Sequence, residues 1–321
     1  MARPRRPQAT HRGRRPVRTD RRACAAPRHR RAAPDADDRP HPRGRRGPGA
    51  AGVGNARGDR HGRTGSMTAD FQGKVVLVTG AAHGFGRAIA LAFAAAGAHV
   101  HASDVVASGV HETVALAGRL GVRVTSSVTD VTKRDEVAAW VKAVADRHGQ
   151  VDVMVNNAGG VLGQVGRPVE TVPERDWKAI YEVNVDGAFH TTAAVAPVFK
   201  EQRSGRIVNI SSGAGLGVSL TGIQAYASAK AALIGLTRQL AHELGPWNVT
   251  VNCIAPGFVR SNPTTERQWQ AYGSEGQRAL VEGIALRRLG SVDDIAHGVL
   301  FFASEASGWI TGQILSIDGG R

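Results

Sequence analysis

The feature that most constrains this chain is a short apolar strand that runs into a glycine-rich turn and then a helix. The strand is predicted over Val75–Thr79 and the helix over residues 84–96. Glycine is needed where the backbone turns tightly and approaches a pyrophosphate, and the amino terminus of a helix offers free N–H groups to phosphate. We therefore predict a dinucleotide-binding loop. The loop residues expected to contact the cofactor are Gly80, His83, Gly84, Phe85 and Gly86.

The same alternation of short apolar strands and amphipathic helices continues to the end of the chain. Further strands are predicted at His99–Asp104, 122–126, 151–156, 206–211, 249–254 and Ile314–Ile317. Helices are predicted from the second strand to about residue 120 and at 133–148, 174–200, 225–244 and Val292–Ala303. Strands that alternate with helices favour βαβ units, and continuous apolar strands favour a sheet covered on both faces. We predict an α/β, doubly wound Rossmann fold with a mostly parallel sheet of about seven strands.

The positive charge of the chain is concentrated in its first 66 residues. The whole chain has 41 Lys and Arg, 27 Asp and Glu, and a formal net charge of +14. Residues 1–66 contain 19 Arg, no Lys and 5 Asp, so residues 67–321 hold 22 basic and 22 acidic side chains. The first segment also lacks Leu, Ile, Phe, Trp and Tyr, and it cannot bury enough apolar surface to offset the entropy of ordering. We expect it to be a disordered, arginine-rich extension.

This extension has two interpretations with different functional consequences. An arginine-rich arm binds nucleic acid through phosphate charge, which would make the protein a cofactor sensor that binds DNA. Alternatively, Arg without Lys among Ala, Gly and Pro is typical of GC-rich upstream DNA translated by mistake, and Met67 is then the true start. We favour the second interpretation. Nucleic acid is then not an expected partner, and residues 67–321 form a single domain of ordinary size.

Several other classes of protein are disfavoured by composition. Cys253 lies in an apolar strand and is expected to be a small core residue, so the folded part has no disulfide and fits a reducing cytoplasm. No apolar run approaches the roughly 20 residues that a membrane span needs. His99 and His101 alternate on a strand without a third ligand nearby, so we expect no metal site.

Asp104, at the end of the second strand, bears on the choice of cofactor. A carboxylate there accepts hydrogen bonds from the adenosine ribose hydroxyls and repels a 2′-phosphate. The next residues are Val105 and Val106, with no Arg or Lys to bind that phosphate. This pattern favours NAD over NADP. His83 is the one contrary feature, since a cation in the loop could meet a phosphate, although a neutral, solvent-facing histidine is the simpler interpretation.

A serine, a tyrosine and a lysine form the candidate catalytic group. Tyr226 and Lys230 stand at positions i and i+4 of one predicted helix, so their side chains share a face. The ordinary pKa of tyrosine, about 10, is too high for acid/base work near neutrality, and a nearby ammonium or an oxidised nicotinamide would lower it. Ser212 ends a predicted strand, where its hydroxyl could stabilise negative charge on a substrate oxygen.

Taken in order, these motifs resemble the short-chain dehydrogenases/reductases. The loop matches the family's Thr-Gly-x-x-x-Gly-x-Gly pattern, and Asn156-Asn-Ala-Gly159 matches its Asn-Asn-Ala-Gly segment. Tyr226-Ala-Ser-Ala-Lys230 matches its Tyr-x-x-x-Lys motif, and Pro256-Gly257 matches its Pro-Gly turn. The resemblance covers about residues 71–320. It implies NAD(P)-dependent transfer of hydride between nicotinamide and a ketone or secondary alcohol.

The resemblance also implies a role for each matching residue. Tyr226 would exchange the proton with the substrate oxygen, Lys230 would lower its pKa and bind the nicotinamide ribose, and Asn184 would order a water in the proton relay. Ser212 stands 14 residues before Tyr226 where the family usually has 13, which makes the loop one residue longer. Asp130 would reach the adenine and Val259 the carboxamide. The cofactor contacts carried over in this way are Asp130, Val131, Asn156, Ala158, Gly159, Pro256, Gly257, Val259 and Ser261, the last in place of the more usual Thr.

Substrate specificity is expected to come from the loops 160–168, 213–224 and 261–286, because such loops follow the carboxyl ends of the strands. The last contains Trp269 and Tyr272 among charged residues and is expected to be a mobile lid. A 3-oxoacyl thioester or another small carbonyl compound is the first expectation for the substrate, and a sugar or polyol is the alternative. The resemblance further implies a cytoplasmic homo-oligomer, either a tetramer or a dimer.

Overall fold

A single parallel sheet with helices on both faces organises residues 70–219 and 221–321, which are the residues that this computed structural model describes. The strand order is β3-β2-β1-β4-β5-β6-β7, and every neighbouring pair is parallel. The strands are β1 Val75–Thr79, β2 His99–Asp104, β3 Val124–Val128, β4 Val153–Asn156, β5 Gly205–Ile210, β6 Val249–Pro256 and β7 Ile314–Ile317. The predicted doubly wound Rossmann fold is confirmed. The predicted extension, its arginines and the proposed start at Met67 lie outside the described residues.

Helices pack on both faces of the sheet. Their bounds are α1 Gly84–Ala95, α2 Ala107–Arg119, α3 Arg134–His148, α4 Glu174–Tyr181, α5 Gly187–Gln202, α6 Gln224–Leu244, α7 Pro263–Ala271, α8 Gly273–Glu282 and α9 Val292–Ala303. On β1, Val76 and Val78 pack in one core cluster while Val75 and Leu77 pack in the other. Successive strand residues point to opposite faces, so a strand buried on both faces must be apolar throughout.

Most predicted elements agree with the structure to within a residue or two, and the third strand shows why boundaries move. It was expected at 122–126 but runs from Val124 to Val128. The N–H of Val122 donates to the Ala117 carbonyl at 3.0 Å, so this residue completes the turn that ends α2. Gly121 reverses the chain there with a φ of 73°. The strand can begin only after that turn.

The loop expected at 261–286 contains two helices, α7 and α8. Asn262 accepts the N–H groups of Thr264 and Thr265, and the Thr265 hydroxyl contacts the Asn262 backbone in return, which makes a capping box. Pro263 occupies the first helical position, where its missing N–H has no cost. These local caps start a helix whose polar sequence carries little apolar periodicity.

Two further expectations concern buried and membrane-crossing segments. Cys253 is fully buried in β6, as predicted for a core residue, and burial raises the pKa of its thiol to about 11. Within residues 70–219 and 221–321, none of the helices is both long and apolar enough to cross a membrane. The same residues contain no group of three or more His, Cys, Asp or Glu side chains placed to hold a metal ion.

Candidate active site

The predicted phosphate loop lies at the carboxyl end of β1, where two of its glycines permit close backbone approaches. A Cβ on Gly80, whose φ is 66°, would stand 2.7 Å from the Cα of Ala158. A Cβ on Gly84, whose φ is 57°, would stand 2.8 Å from the carbonyl oxygen of Ser261. Only glycine fits both the space and the left-handed backbone. The structure therefore brings together the loop, the turn after β4 and the segment after β6, as the site prediction requires.

Side chains from α1 and α2 hold the carbonyl groups of this loop. The Thr113 hydroxyl donates to the Ala81 carbonyl at 2.7 Å, and the Arg87 guanidinium donates to the Ala82 carbonyl. Arg87 is held in turn by Glu112 at 2.7 Å. These bonds hold the loop in place. The first N–H groups of α1 have no partner within the helix and can donate to an anion. Sequence reasoning missed Arg87 and Thr113 because neither belongs to the glycine pattern.

Asp104 ends β2 beside the loop, as predicted. Its Oδ2 accepts the N–H of Ala82 at 2.9 Å and its Oδ1 accepts the N–H of Val106 at 2.9 Å. These bonds fix the carboxylate, and each oxygen retains capacity for another donor. Val105 and Val106 are exposed apolar residues, and His83 is exposed without a side-chain cap bond to α1.

Tyr226 and Lys230 lie on the first turns of α6, with the Lys230 Nζ 5.5 Å from the centre of the Tyr226 ring. Lys230 is only 3% exposed, and its Nζ donates to the Ile210 carbonyl at 2.8 Å. Burial lowers the pKa of Lys230 from 10.5 to about 8. The lysine is therefore mostly protonated at neutral pH, but it holds its proton more weakly than an exposed lysine.

Burial raises the pKa of Tyr226 above its ordinary value, and a hydrogen bond with the Ser212 side chain partly opposes that rise. Among the protein groups Ser212 lowers this pKa, and the expected contribution of Lys230 stays a prediction. The Ser212 Oγ accepts the N–H of Ala214 at 3.1 Å, so its own hydrogen is free to point elsewhere. A further lowering of the Tyr226 pKa would come from the charge of a bound oxidised nicotinamide.

The choice between two adjacent serines is explained by where their hydroxyls lie. Ser211 is buried and donates to the Lys230 carbonyl at 2.9 Å, whereas Ser212 is the partner of Tyr226. The loop after Ser212 begins with a short 3-10 turn at Gly213–Gly215. Ser212 acts on Tyr226 despite the longer spacing.

Asn184 lies in a π-helical turn, Glu182–Asp186, which interrupts the helix expected at 174–200. Its Nδ2 donates to the carbonyls of Ile180 and Gly160 at 2.8 and 2.9 Å, and its Oδ1 accepts the Gly160 N–H at 3.0 Å. A Cβ on Gly159 would collide with this Oδ1 and lie 3.2 Å from the Lys230 Nζ. The Asn184 side chain and the Lys230 ammonium therefore both lie close to the backbone of Gly159. The water-ordering role stays a prediction that depends on the second lone pair of the Asn184 carbonyl.

The side chain of Asn156 is bonded inside the protein, so a cofactor contact at this residue would come from its backbone and stays a prediction. It is buried and accepts the Thr191 hydroxyl at 2.5 Å, while its Nδ2 donates to the Asn209 Oδ1 at 2.8 Å. The Asn209 Nδ2 donates in turn to Thr237 on α6 at 2.9 Å. This chain of hydrogen bonds joins α5, two strands and α6 inside the protein, because a buried amide must find polar partners.

The other residues expected to contact the cofactor lie near the carboxyl ends of the strands, and they differ in whether their side chains or only their backbones are available. The Oδ1 of Asp130 accepts both the N–H and the hydroxyl of Thr132, at 2.9 and 2.8 Å. The Val131 side chain is buried and packs where a Cβ on Gly187 would meet it at 2.7 Å, so only its backbone is available. Val259 is buried and its backbone pairs with that of Gly290. The Pro256-Gly257 turn is held by the Gly257 N–H, which donates to the carbonyl of Ile317 at 2.9 Å.

The aromatic residues expected in a lid pack on Phe258, which comes directly after that turn. The ring centres of Trp269 and Tyr272 lie 6.2 and 5.9 Å from that of Phe258. The Arg260 guanidinium lies 5.6 Å from the centre of the Trp269 ring and pairs with Glu266 at 2.7 Å. The two helices are thereby tied to the segment after β6.

Proteins of known family are similar to this chain over most of its length. The model of a family described as enoyl-(acyl carrier protein) reductase matches residues 80–321. A 3-oxoacyl-(acyl-carrier-protein) reductase FabG of Thermotoga maritima is 39% identical over 250 residues, covering 78% of this chain and 98% of the relative.

Two solved structures are similar over the same part of the chain. A 7 alpha-hydroxysteroid dehydrogenase complexed with NADH and 7-oxo glycochenodeoxycholic acid has a TM-score of 0.71 and 35% identity, covering 78% of this chain and 95% of that one. An NAD+-bound xylitol dehydrogenase has a TM-score of 0.72 and 35% identity, covering 78% and 99%. With a serine, a tyrosine and a lysine gathered beside a dinucleotide-type loop, the chain belongs to the short-chain dehydrogenases/reductases, oxidoreductases that interconvert alcohols and carbonyl compounds.

Proposed function

We propose that this protein is an NAD(H)-dependent oxidoreductase of a ketone or secondary alcohol, with Tyr226 as its general acid and base. The observation that carries the proposal is the placement of Tyr226 and buried Lys230 on one face of α6, with the Lys230 Nζ 5.5 Å from the centre of the Tyr226 ring. Ser212 also acts on Tyr226 from just beyond the end of β5. Tyr226 carries its proton at neutral pH and can donate it as negative charge develops on the carbonyl oxygen, and the groups that lower its pKa make this transfer easier. Ser212 would hold that oxygen with its free hydrogen and stabilise the developing charge.

The residues present fit a dinucleotide. Gly80 and Gly84 leave room where a side chain would block the loop, and the start of α1 offers N–H groups to a pyrophosphate. The fixed carboxylate of Asp104 would accept ribose hydroxyls and repel a 2′-phosphate, which supports NAD rather than NADP. Lys230 would donate to the nicotinamide ribose. When bound, the nicotinamide supplies or accepts the hydride.

Alcohol oxidation with NAD+, followed by the appearance of NADH, tests the proposal. A panel of secondary alcohols, including a 3-hydroxyacyl thioester and a polyol, is compared between the native chain and Tyr226→Phe. The phenyl ring keeps the packing but has no proton to exchange, so the rate should fall by about 10²–10⁴-fold while NADH binding is retained. A variant that oxidises the best alcohol as fast as the native chain would exclude Tyr226 as the acid and base.

We also propose a homo-oligomer, either a dimer or a tetramer, in the cytoplasm. Trp309 is fully exposed, and Phe301 on α9 and Leu315 on the edge strand β7 are also exposed. Apolar surface and an unpaired strand edge are features that a second copy can cover. The free thiol of Cys253 is compatible with a reducing compartment. Light scattering of the native chain, compared with Trp309→Ser, measures the association.

A further inference from the structure

Two stretches of the loops after β4 and β5 contain no charged residue in their sequence. Residues 160–166 read Gly-Val-Leu-Gly-Gln-Val-Gly, and residues 213–224 contain no Asp, Glu, Lys, Arg or His. Four aliphatic side chains on these loops are exposed to solvent, and we call them the aliphatic rim. They are Leu162 at 60%, Val165 at 46%, Leu216 at 51% and Val218 at 91% exposure. Exposed apolar side chains on neighbouring loops can form a surface that binds an apolar partner.

Hydrogen bonds join the two loops into one unit. The fully buried Gln164 donates from its Nε2 to the Gly222 carbonyl at 3.0 Å and to the Gln224 Oε1 at 2.9 Å. The Gln224 Nε2 donates to the Arg167 carbonyl at 2.8 Å, and the Gly166 N–H donates to the Thr221 carbonyl at 2.9 Å. The aliphatic rim therefore stands on a fixed scaffold. Because α6 begins at Gln224, that scaffold is directly continuous with the turn that carries Tyr226.

We infer that the substrate is an uncharged, apolar ketone or secondary alcohol whose hydrocarbon part covers the aliphatic rim. This inference rests on the proposed function, since it takes the reacting oxygen to lie at Ser212 and Tyr226. Covering exposed aliphatic groups is favourable only for an apolar partner. A polyol needs polar partners for each hydroxyl, and a carrier-bound thioester needs cations. The nearest cation along the first loop, Arg167, is paired with Asp176 at 3.0 Å.

Kinetics with a graded substrate series test this inference. The series comprises cyclohexanol, an alkyl-substituted cyclohexanol, xylitol and 3-hydroxybutyryl-CoA, each with NAD+. We expect the value of kcat/KM to increase with apolar area and to be lowest for xylitol. The double substitution Leu216→Asn with Val218→Asn should lower kcat/KM for the cyclohexanols about tenfold, because each buried methylene contributes about 0.8 kcal/mol. The KM for NAD+ should not change. Leu120→Asn is the matched control, because Leu120 is a similarly exposed aliphatic residue at the end of α2.

A direct binding measurement separates failure of this inference from failure of the proposed function. A fluorescent apolar ketone is titrated into the full chain with NAD+ present, which cannot reduce it, and its affinity is compared among the native chain, the double variant and Leu120→Asn. Weaker binding in the double variant alone supports the aliphatic rim even when no alcohol in the series is oxidised. Equal affinity in all three, a preference for xylitol or the thioester, or a double variant that changes only the oligomeric state would each overturn the inference.

Discussion

Replacing Lys230 by Met is expected to abolish turnover and to stabilise the fold at neutral pH. The pKa of Lys230 falls from 10.5 to about 8 in the protein, and each pH unit corresponds to about 1.4 kcal/mol. Keeping this ammonium buried therefore costs about 3 kcal/mol. Removing the hydrogen bond to the Ile210 carbonyl loses about 1 kcal/mol. Methionine fills the space of the lysine stem, so the free energy of unfolding should rise by about 2 kcal/mol.

The pH dependence of that gain is the sharper part of the prediction. Between about pH 8 and 10.5 the unfolded chain binds more protons at Lys230 than the folded chain, so the native protein gains stability from this group as the pH rises. The advantage of Lys230→Met should therefore shrink through this range, and above it the lost hydrogen bond should leave the variant slightly less stable than the native protein. Urea unfolding at pH 7 and pH 10, at one protein concentration, measures the difference between the two proteins.

Lys142 supplies the matched control. It is an exposed lysine on α3 that pairs with Asp146 four residues later, so Lys142→Met should change the unfolding free energy by less than about 0.5 kcal/mol at either pH. Should Lys230→Met instead destabilise the protein at pH 7, or should its advantage remain constant with pH, the assignment of a costly buried ammonium would be refuted. Loss of activity together with a gain of stability would show that the site is retained for chemistry.

Three other residues give predictions of their own. Because the pKa of Tyr226 is raised, the rate of alcohol oxidation should increase with pH. Ser212→Ala should move the midpoint of that increase to higher pH, as steady-state rates in a buffer series would show. A midpoint that moves to lower pH would contradict the role of Ser212. Burial and the neighbouring His148 lower the pKa of His101 to about 4, so unfolding free energy should fall as the pH drops from 6.5 to 4, and His101→Gln should flatten that fall in denaturation curves. Asp104→Ser should lower the preference for NAD over NADP by tenfold or more, because it removes the repulsion of the 2′-phosphate. The preference is measured as the ratio of the two dissociation constants. An unchanged ratio would show that residues other than Asp104 distinguish the two cofactors.

Much of the fold and of the site could be predicted because its signals are local. The glycines of the phosphate loop and the i, i+4 pair of Tyr226 and Lys230 depend on a few adjacent residues. The features that escaped prediction depend on contacts distant in sequence. Arg87 reaches α2, and Asn156 reaches Asn209 and Thr191, because buried polar groups take whichever partner the fold brings close. The helix that starts at Pro263 was missed for another reason, since its caps outweigh a weak apolar pattern.

The π turn at Glu182–Asp186 also has an evolutionary consequence. A wider turn accommodates an additional residue in a helix, and successive residues of an α-helix are rotated about its axis by about 100°. Deleting one residue here would return the segment to ordinary α-helix and leave α5 in its present phase, because the wide turn is what absorbs that residue. The same deletion within α5 itself would rotate the residues that follow it, and Val195 and Phe199 would leave the core. The segment that carries Asn184 can thus lose a residue in evolution without repacking α5, whereas the regular turns of α5 cannot change their length.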